Sequence, residues 1–538
     1  MAVLDENARW PTQGAFEYES HYSSRKEVVG FEAFDDRQGF DHVVIGAGPV
    51  GAALAYALAR GQPDGRVLVV EKNWDEPDRI VGELMQPAGC QALERLGLGG
   101  VFSGIGAVPV HGYHIAYRGQ HLYVPFMADA DGTPFHGNSF HHGRLVMNLR
   151  AACKAQPNIV CLEAAATELL GDTDPTGRFT LVRGARIGPP RASELTATQV
   201  VDVLPRGLTF VCDGISSQFR RQLNPAPVEM LSHFCGLVLD HEPVGSADDF
   251  DRPAGGTADV ARPGPGNSNP LPMPHNGNVL LDGIGPVLLY QMSERQTRVL
   301  ADIPGAQLPS EASGRLREVL RDSLARAAPS SSFPGLHAKL LDSLDSARRI
   351  RCIGSKFIPA TANTIDGAVW LGDALNVRHP LTGGGMTIGM WDVVLLAEQL
   401  SGRGLPDARE MRRIKARWQW QRRPRALVVN VLSIALYSLF SAETKELALL
   451  REACFTYLAQ GGTYTMHPSG FLSGLMPSPL MLVYHFFSVA FVAVYLRIAN
   501  RSAAYPGDAL PVRIYSAFYT LYVAAAVILP PVWKELQP

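Results

Sequence analysis

Three glycine-bearing turns, each following a run of apolar residues, carry the chemistry this chain can do. The first is Gly46-Ala-Gly48-Pro49-Val50-Gly51, between Asp41-His-Val-Val-Ile and an Ala/Leu-rich stretch. This pattern binds a dinucleotide. Gly46 allows the sharp turn, Gly48 lets a pyrophosphate approach the backbone, and Gly51 lets the helix pack on the strand. Free N–H groups at the helix start, around Pro49 and Val50, face the phosphates. A second run, Arg66-Val-Leu-Val-Val-Glu71, ends in an acid 20 residues beyond Gly51. An acid there accepts hydrogen bonds from a ribose.

The second turn is Leu208-Thr-Phe-Val-Cys-Asp213-Gly214, again an acid at a strand end. The third runs from Ala368-Val-Trp-Leu-Gly372-Asp373 to Gly383-Gly384-Gly385-Met386. Three successive glycines let backbone N–H groups approach a planar ring or a phosphate. The helix that follows stabilises negative charge at its N-terminus. Asp373 is expected to bond a hydroxylated chain. Between these turns, Asp78 to Gly89 packs Arg79 and Gln86 among glycines and a proline. Folded back over the cofactor, it brings Arg79 to phosphate or ribose and Gln86 to the ring; a surface loop with incidental charges is the alternative. Arg144 opens a helix and is expected to meet an anionic cofactor.

Other chemistries find little support. A net charge of −2 with no basic run of useful length gives no case for nucleic acid. Six histidines (His111, His114, His121, His136, His141, His142) match no zinc spacing, so no metal site is expected. Seven scattered cysteines without a Cys-x-x-Cys read as reduced, mostly structural thiols of a cytosol-facing protein.

The elements that must position these residues follow from the patterns. The fold class is α/β: a Rossmann-like dinucleotide domain, a second β-sheet substrate domain, and a C-terminal helical membrane-associated region. Residues 1–40 are polar, with no apolar run of signal-peptide or anchor type. Residues 41–230 form the first part of the dinucleotide domain, with hairpin 111–125 turned towards a substrate cavity. Residues 231–350 form the substrate domain, whose Pro/Gly-rich stretch 241–275 is expected to be a mobile insertion. Residues 351–400 return to the dinucleotide domain, and 401–538 are helical. Leu480–Leu496 and Ile514–Val532 carry no formal charge and approach the roughly 17–25 residues of a spanning helix. Pro530-Pro531 is expected to shorten the second. Arg497, Arg501 and Arg513 flank the pair, with Tyr and Trp near the ends, as interfacial anchors do. A membrane hairpin is expected; two helices buried in a large core are the alternative.

Arg79-Ile-Val-Gly-Glu-Leu-Met-Gln-Pro, Phe140-His-His-Gly-Arg144, Cys212-Asp-Gly, the string Gly372-Asp-Ala-Leu-Asn-Val-Arg-His-Pro-Leu-Thr-Gly-Gly-Gly-Met386 and Val429-Asn-Val-Leu resemble the squalene monooxygenase (squalene epoxidase) family, in order. Ala88 and Cys90 depart from it, where Gly and an aromatic residue are commoner. The resemblance implies a single FAD-binding domain in an FAD-dependent monooxygenase. FAD contacts transfer to Pro49, Val50, Glu71, Lys72, Arg79, Val160, Arg144, Asp373 and Met386. Tyr113 and Gln86 match the pair beside the flavin ring, hydrogen-bonded to each other; a hairpin aromatic packed in the core is the alternative for Tyr113. The implied reaction is epoxidation of squalene by O2 to (S)-2,3-oxidosqualene in sterol biosynthesis. NADPH serves as electron source through a membrane-bound NADPH-cytochrome reductase partner. The implied location is the endoplasmic reticulum membrane, microsomal or lipid-droplet associated, in contact with membrane lipid and with the catalytic part facing the cytosol. Two other readings stay open: another prenyl-lipid flavoenzyme (a geranylgeranyl reductase or quinone hydroxylase), or an inactive lipid-sensing flavoprotein.

Overall fold

The computed structural model describes residues 27–190, 200–224, 226–243, 256–257, 271–505 and 507–536. Most of the stretch 241–275, read above as a mobile insertion, and most of the N-terminal segment lie outside these residues.

A six-stranded parallel sheet carries the glycine turns. Its order is Val29–Gly30, Ile159–Glu163, Val67–Glu71, His42–Ile45, Leu208–Val211 and Ala368–Trp370. The central strands are buried on both faces, as unbroken β-branched runs require. Helices Pro49–Gly61, His142–Lys154 and Gly385–Leu400 pack together against this sheet. The edge strand Val29–Gly30 falls in the polar N-terminal segment, where no strand was expected. Two residues are too few to show a period, and its pairing with Ile159–Glu163 defines it.

An eight-stranded sheet faces the first across a cavity. Its order is Gly256–Thr257, Gln120–Pro125, Gly112–Tyr117, Gly277–Leu280, Val287–Ser293, Gln296–Pro304, Glu229–Asp240 and Arg351–Phe357. All its pairs are antiparallel except Gly112–Tyr117 with Gly277–Leu280. Thus hairpin 111–125, far away in sequence, joins the sheet of residues 229–357. One face of this sheet is covered by helices Arg315–Ala327 and Pro334–Ser346. Cys235 and Cys352 are directly opposed on neighbouring strands and joined as a disulfide, Cα to Cα 4.2 Å. The expectation of reduced thiols fails for this pair because strand register, invisible in cysteine spacing, brings them together.

Among the described residues five helices follow: Ala408–Ser441, Lys445–Leu458, Thr463–Leu472, Pro479–Ile498 and Leu510–Leu536. The last two contain the expected apolar segments. Pro530 and Pro531 lie inside the last helix rather than ending it. Among the described residues three helices are long and apolar enough to cross a membrane, the third being Ala408–Ser441. Two-thirds of that helix's apolar window is buried inside the protein, against 33% and 22% for the hairpin helices, so the hairpin carries the outward apolar surface. Arg497 is itself buried, donating to Ser516 at 2.6 Å and paired with Asp508, so it ties the hairpin helices together instead of facing lipid headgroups.

Candidate active site

The three turns meet at one end of a cavity of about 640 Å³ between the two sheets. Gly46 has φ +98°, and a Cβ there would sit 2.6 Å from the Cys212 carbonyl oxygen. A Cβ on Gly51 would sit 2.0 Å from the Gly46 carbonyl oxygen. A Cβ on Gly48 would meet nothing within 4 Å, and this glycine lines the cavity. Glu71 accepts the Ala47 N–H at 2.9 Å, which draws the end of the second strand onto the first turn. Arg150 braces this junction. Its Nε donates to the Ala47 carbonyl at 2.9 Å, and Nη2 lies 3.8 Å from Glu71 Oε2.

Asp213 and Asp373 line the cavity at the ends of neighbouring strands. Burial raises both carboxyls above the ordinary range; for Asp373 it outweighs Arg378, Arg79 and Arg220. Asp213 Oδ1 and the Ser217 hydroxyl are buried beside each other, and neither makes a well-formed hydrogen bond to the protein. Orphaned acceptors beside an open glycine turn fit a hydroxylated, phosphorylated ligand such as a dinucleotide. Pro49, Val50, Lys72, Arg79, Gly383, Gly385 and Met386 line the same space.

Four expected contacts stand elsewhere. Arg144 is exposed, and its Nη1 donates to the Ile105 carbonyl at 3.2 Å. The helix instead turns His142, Val146 and Arg150 to the cavity, positions four apart on one face; two residues on from His142 is nearly the opposite side. Val160 packs against the core beneath the sheet. Gly51 serves helix packing, as its place in the turn predicts. Gly384 does the same: a Cβ there would lie 2.4 Å from Val429 Cγ1, so this glycine admits the long helix rather than a ring.

Gln86 and Tyr113 do meet. The Gln86 Nε2 donates to the Tyr113 hydroxyl, and to the Thr382 carbonyl at 2.7 Å. Tyr113 lines the cavity, packed edge-on to Phe126, and burial pushes its phenol well above the usual range, so it stays neutral. Glu83 was not foreseen as a site residue. It holds Arg298 by two bonds of 2.8 Å and accepts the Tyr290 hydroxyl at 3.2 Å, tying the 78–86 loop to the second sheet. A buried-side acid in a glycine-bounded loop was the only signal; its partners lie more than 200 residues away. His142 is pushed down to about 4 by burial and stays neutral, bonded through Nδ1 to the Gly82 carbonyl.

A second, almost wholly apolar groove adjoins the cavity, sharing Tyr113, Val279 and Leu381 with it. Leu436, Leu439, Phe440, Leu472 and Phe486 of the C-terminal helices form much of its wall.

Known proteins resemble this chain in sequence and in fold. The squalene epoxidase family model matches residues 206–249 and 266–510. Squalene epoxidase ERG1 of Candida albicans is 35% identical, covering 92% of this chain and 99% of its own. Squalene epoxidase erg1 of Aspergillus fumigatus is 37% identical over 91% of this chain and 92% of its own. Squalene monooxygenase of Mus musculus is 35% identical over 92% of this chain and 78% of its own. Among solved structures, Pseudomonas aeruginosa PqsL superposes with a TM-score of 0.53 at 21% identity, covering 81% of this chain and 99% of its own. Klebsiella pneumoniae HpxO complexed with FAD gives 0.54 at 16%, covering 82% and 100%. These two share the fold. The sequence matches go further: this chain belongs to the squalene epoxidase family.

Proposed function

We propose that the chain is an FAD-dependent monooxygenase that epoxidises squalene to (S)-2,3-oxidosqualene with O2, in sterol biosynthesis. One observation carries this reading: an apolar groove suited to a hydrocarbon adjoins the dinucleotide cavity and shares the wall residues Tyr113, Val279 and Leu381 with it. FAD, when bound, supplies the electron transfer and the activation of O2. The residues suited to hold it are Glu71 at a ribose, the Gly46–Gly51 turn with Pro49, Val50, Lys72 and Arg79 at the phosphates, Asp213 and Asp373 at hydroxyls, and Gly383, Gly385 and Met386 at the ring. Arg144 and Val160 face elsewhere and are left out of this set.

The chain's own work is positioning and exclusion of water. The groove offers squalene only carbon contacts along most of its wall. Tyr113 receives the Gln86 amide hydrogen, so its own proton remains available to donate towards the cavity. Electrons are proposed to come from NADPH through a separate membrane-bound reductase. The reason is that the chain shows one Gly-x-Gly-x-x-Gly turn, at Gly46–Gly51. The three apolar helices are compatible with membrane association. We place the protein on the endoplasmic reticulum membrane, microsomal or at lipid droplets, with its catalytic part towards the cytosol.

The test is to incubate membranes holding the full chain with squalene, NADPH, a reductase and O2. A product one oxygen heavier than squalene is expected. Unchanged squalene, with turnover of a quinone or a geranylgeranyl lipid instead, would refute the reading.

Tyr113→Phe should raise peroxide released per NADPH by about tenfold, the size of one lost hydrogen bond in the transition state. The squalene KM should hold, because the hydrocarbon offers no partner to a hydroxyl. Measuring peroxide and NADPH together in wild type and variant checks this; equal coupling would remove Tyr113 from the site.

A further inference from the structure

Three side chains from separate parts of the molecule meet behind the glycine loop, all with zero exposure. Ser232 lies on strand Glu229–Asp240, Asp302 on strand Gln296–Pro304, and His379 just before Pro380. Ser232 Oγ is 2.5 Å from Asp302 Oδ1 and 2.9 Å from His379 Nε2. His379 Nδ1 accepts the Leu381 N–H at 3.2 Å. That bond settles the tautomer. With its lone pair on Nδ1, a neutral imidazole carries its proton on Nε2. Burial pushes His379 down to about 3, so it is neutral. Nε2–H therefore donates to Ser232, and the Ser232 hydroxyl donates to Asp302. Donation runs one way, from the loop backbone at Leu381 to the carboxyl of Asp302.

The loop held in this way borders both the cavity and the groove. Arg378, Pro380, Leu381, Gly383 and Gly385 line the dinucleotide cavity. Leu381 and Thr382 also line the apolar groove, and the Thr382 carbonyl accepts the Gln86 amide. Tyr437, on the long helix that walls the groove, stacks on the His379 ring with centroids 4.3 Å apart. Any shift of His379 thus moves the cofactor wall, the groove wall and the anchor of Gln86 together.

We propose that Ser232 and Asp302 are positioning residues for oxygen transfer: through His379 they fix the backbone of residues 379–385 between the cofactor and the alkene. This rests on the function proposed above. The assignment separates two roles for the network. A merely structural network would change melting temperature alone. A positioning network changes how firmly FAD is held and how well oxygen is transferred.

The experiment uses the full chain in membranes, with Ser232→Ala, Asp302→Asn and Asp302→Ala. Melting temperature, FAD release followed by flavin fluorescence, squalene KM, and peroxide per NADPH are measured. Ser232→Ala should release FAD and leak peroxide about fivefold faster, the scale of one buried hydrogen bond, with KM within about twofold of wild type. Asp302→Asn should be restored close to wild type, since its amide oxygen still accepts the Ser232 hydroxyl. Burial raises Asp302 to about 7, with Oδ2 unpartnered, so the neutral amide resembles the acid form. Asp302→Ala should be as impaired as Ser232→Ala. If Ser232→Ala does not fold, Ser232→Cys carries the same comparison. A folded Ser232 variant with a lowered melting temperature but unchanged FAD release and coupling would overturn the proposal. So would Asp302→Asn as leaky as Ser232→Ala. Failure of the functional reading is seen separately, as wild-type protein that makes no epoxide while FAD release still responds to Ser232.

Discussion

Gly51→Ala should yield a protein without flavin, while Gly48→Ala should fold normally and bind flavin weakly. The two glycines sit three residues apart, yet different neighbours constrain them. A Cβ at position 51 would lie 2.0 Å from the Gly46 carbonyl oxygen, and that oxygen is backbone. Helix Pro49–Gly61 must then lift off the strand, opening the turn that faces the phosphates. Alanine gains about 1 kcal/mol of helix propensity over glycine. Overpacking against a fixed backbone costs about 1–3 kcal/mol or more, so the loss wins. At Gly48, φ is −73° and no protein atom lies within 4 Å of the added carbon. Only a bound pyrophosphate would meet it. Flavin absorbance per protein and the melting temperature of the flavin-free form separate the cases. Gly51→Ala should lose both; Gly48→Ala should lose only the flavin. Full flavin in Gly51→Ala would show that helix and strand do not need the close approach. Full flavin in Gly48→Ala would place the pyrophosphate elsewhere.

The contrast shows what the sequence made legible. Gly46, Gly48, Gly51 and Glu71 belong to one strand–turn–helix–strand unit, and local rules were enough to bring them to one turn. Gln86 could be read from its glycine-bounded loop, but its pairing with Tyr113 came from resemblance alone, since nothing local ties a loop amide to a hairpin phenol. Arg150 was within reach. It stands four and eight residues from Val146 and His142, and helical period selects it over Arg144. The Glu83–Arg298–Tyr290 cluster and the Ser232–Asp302–His379 relay were not legible, because each joins strands whose register only the folded sheet sets. The same holds for Cys235 and Cys352. Helix Pro334–Ser346 was passed over; its buried Leu336, Leu340 and Leu344 keep the i, i+4, i+8 period, but over a short span.

The C-terminal hairpin was read as a pair of uncharged helices, and its place in the core alters how its anchoring must be tested. Removing everything after Gly470 would take away Leu482, Ala490, Ala493 and Ile528, all buried in the protein's own core. It would also remove Phe486 and Val489 from the groove wall and Glu535 from Asn430, to which it is bonded at 2.8 Å. A truncated chain would unfold locally and stick to membranes for the wrong reason. The outward face offers a cleaner variant. Phe491, Phe518, Tyr522 and Trp533 are 62–67% exposed, and they lie on the two helices with the least buried apolar windows. Each side chain placed in lipid is worth roughly 1.5–3 kcal/mol, so four together supply about 6–12 kcal/mol. Changing all four to serine should release the protein from washed membranes by several orders of magnitude in partition. Because none of the four is buried, the melting temperature in detergent should stay near that of wild type. Flotation of the quadruple variant with lipid vesicles, beside its detergent melt, reads both quantities. A variant that folds and still floats as firmly as wild type would move the anchor away from the hairpin, leaving helix Pro479–Ile498 as a wall of the apolar groove, through Leu482, Phe486 and Val489, and nothing more.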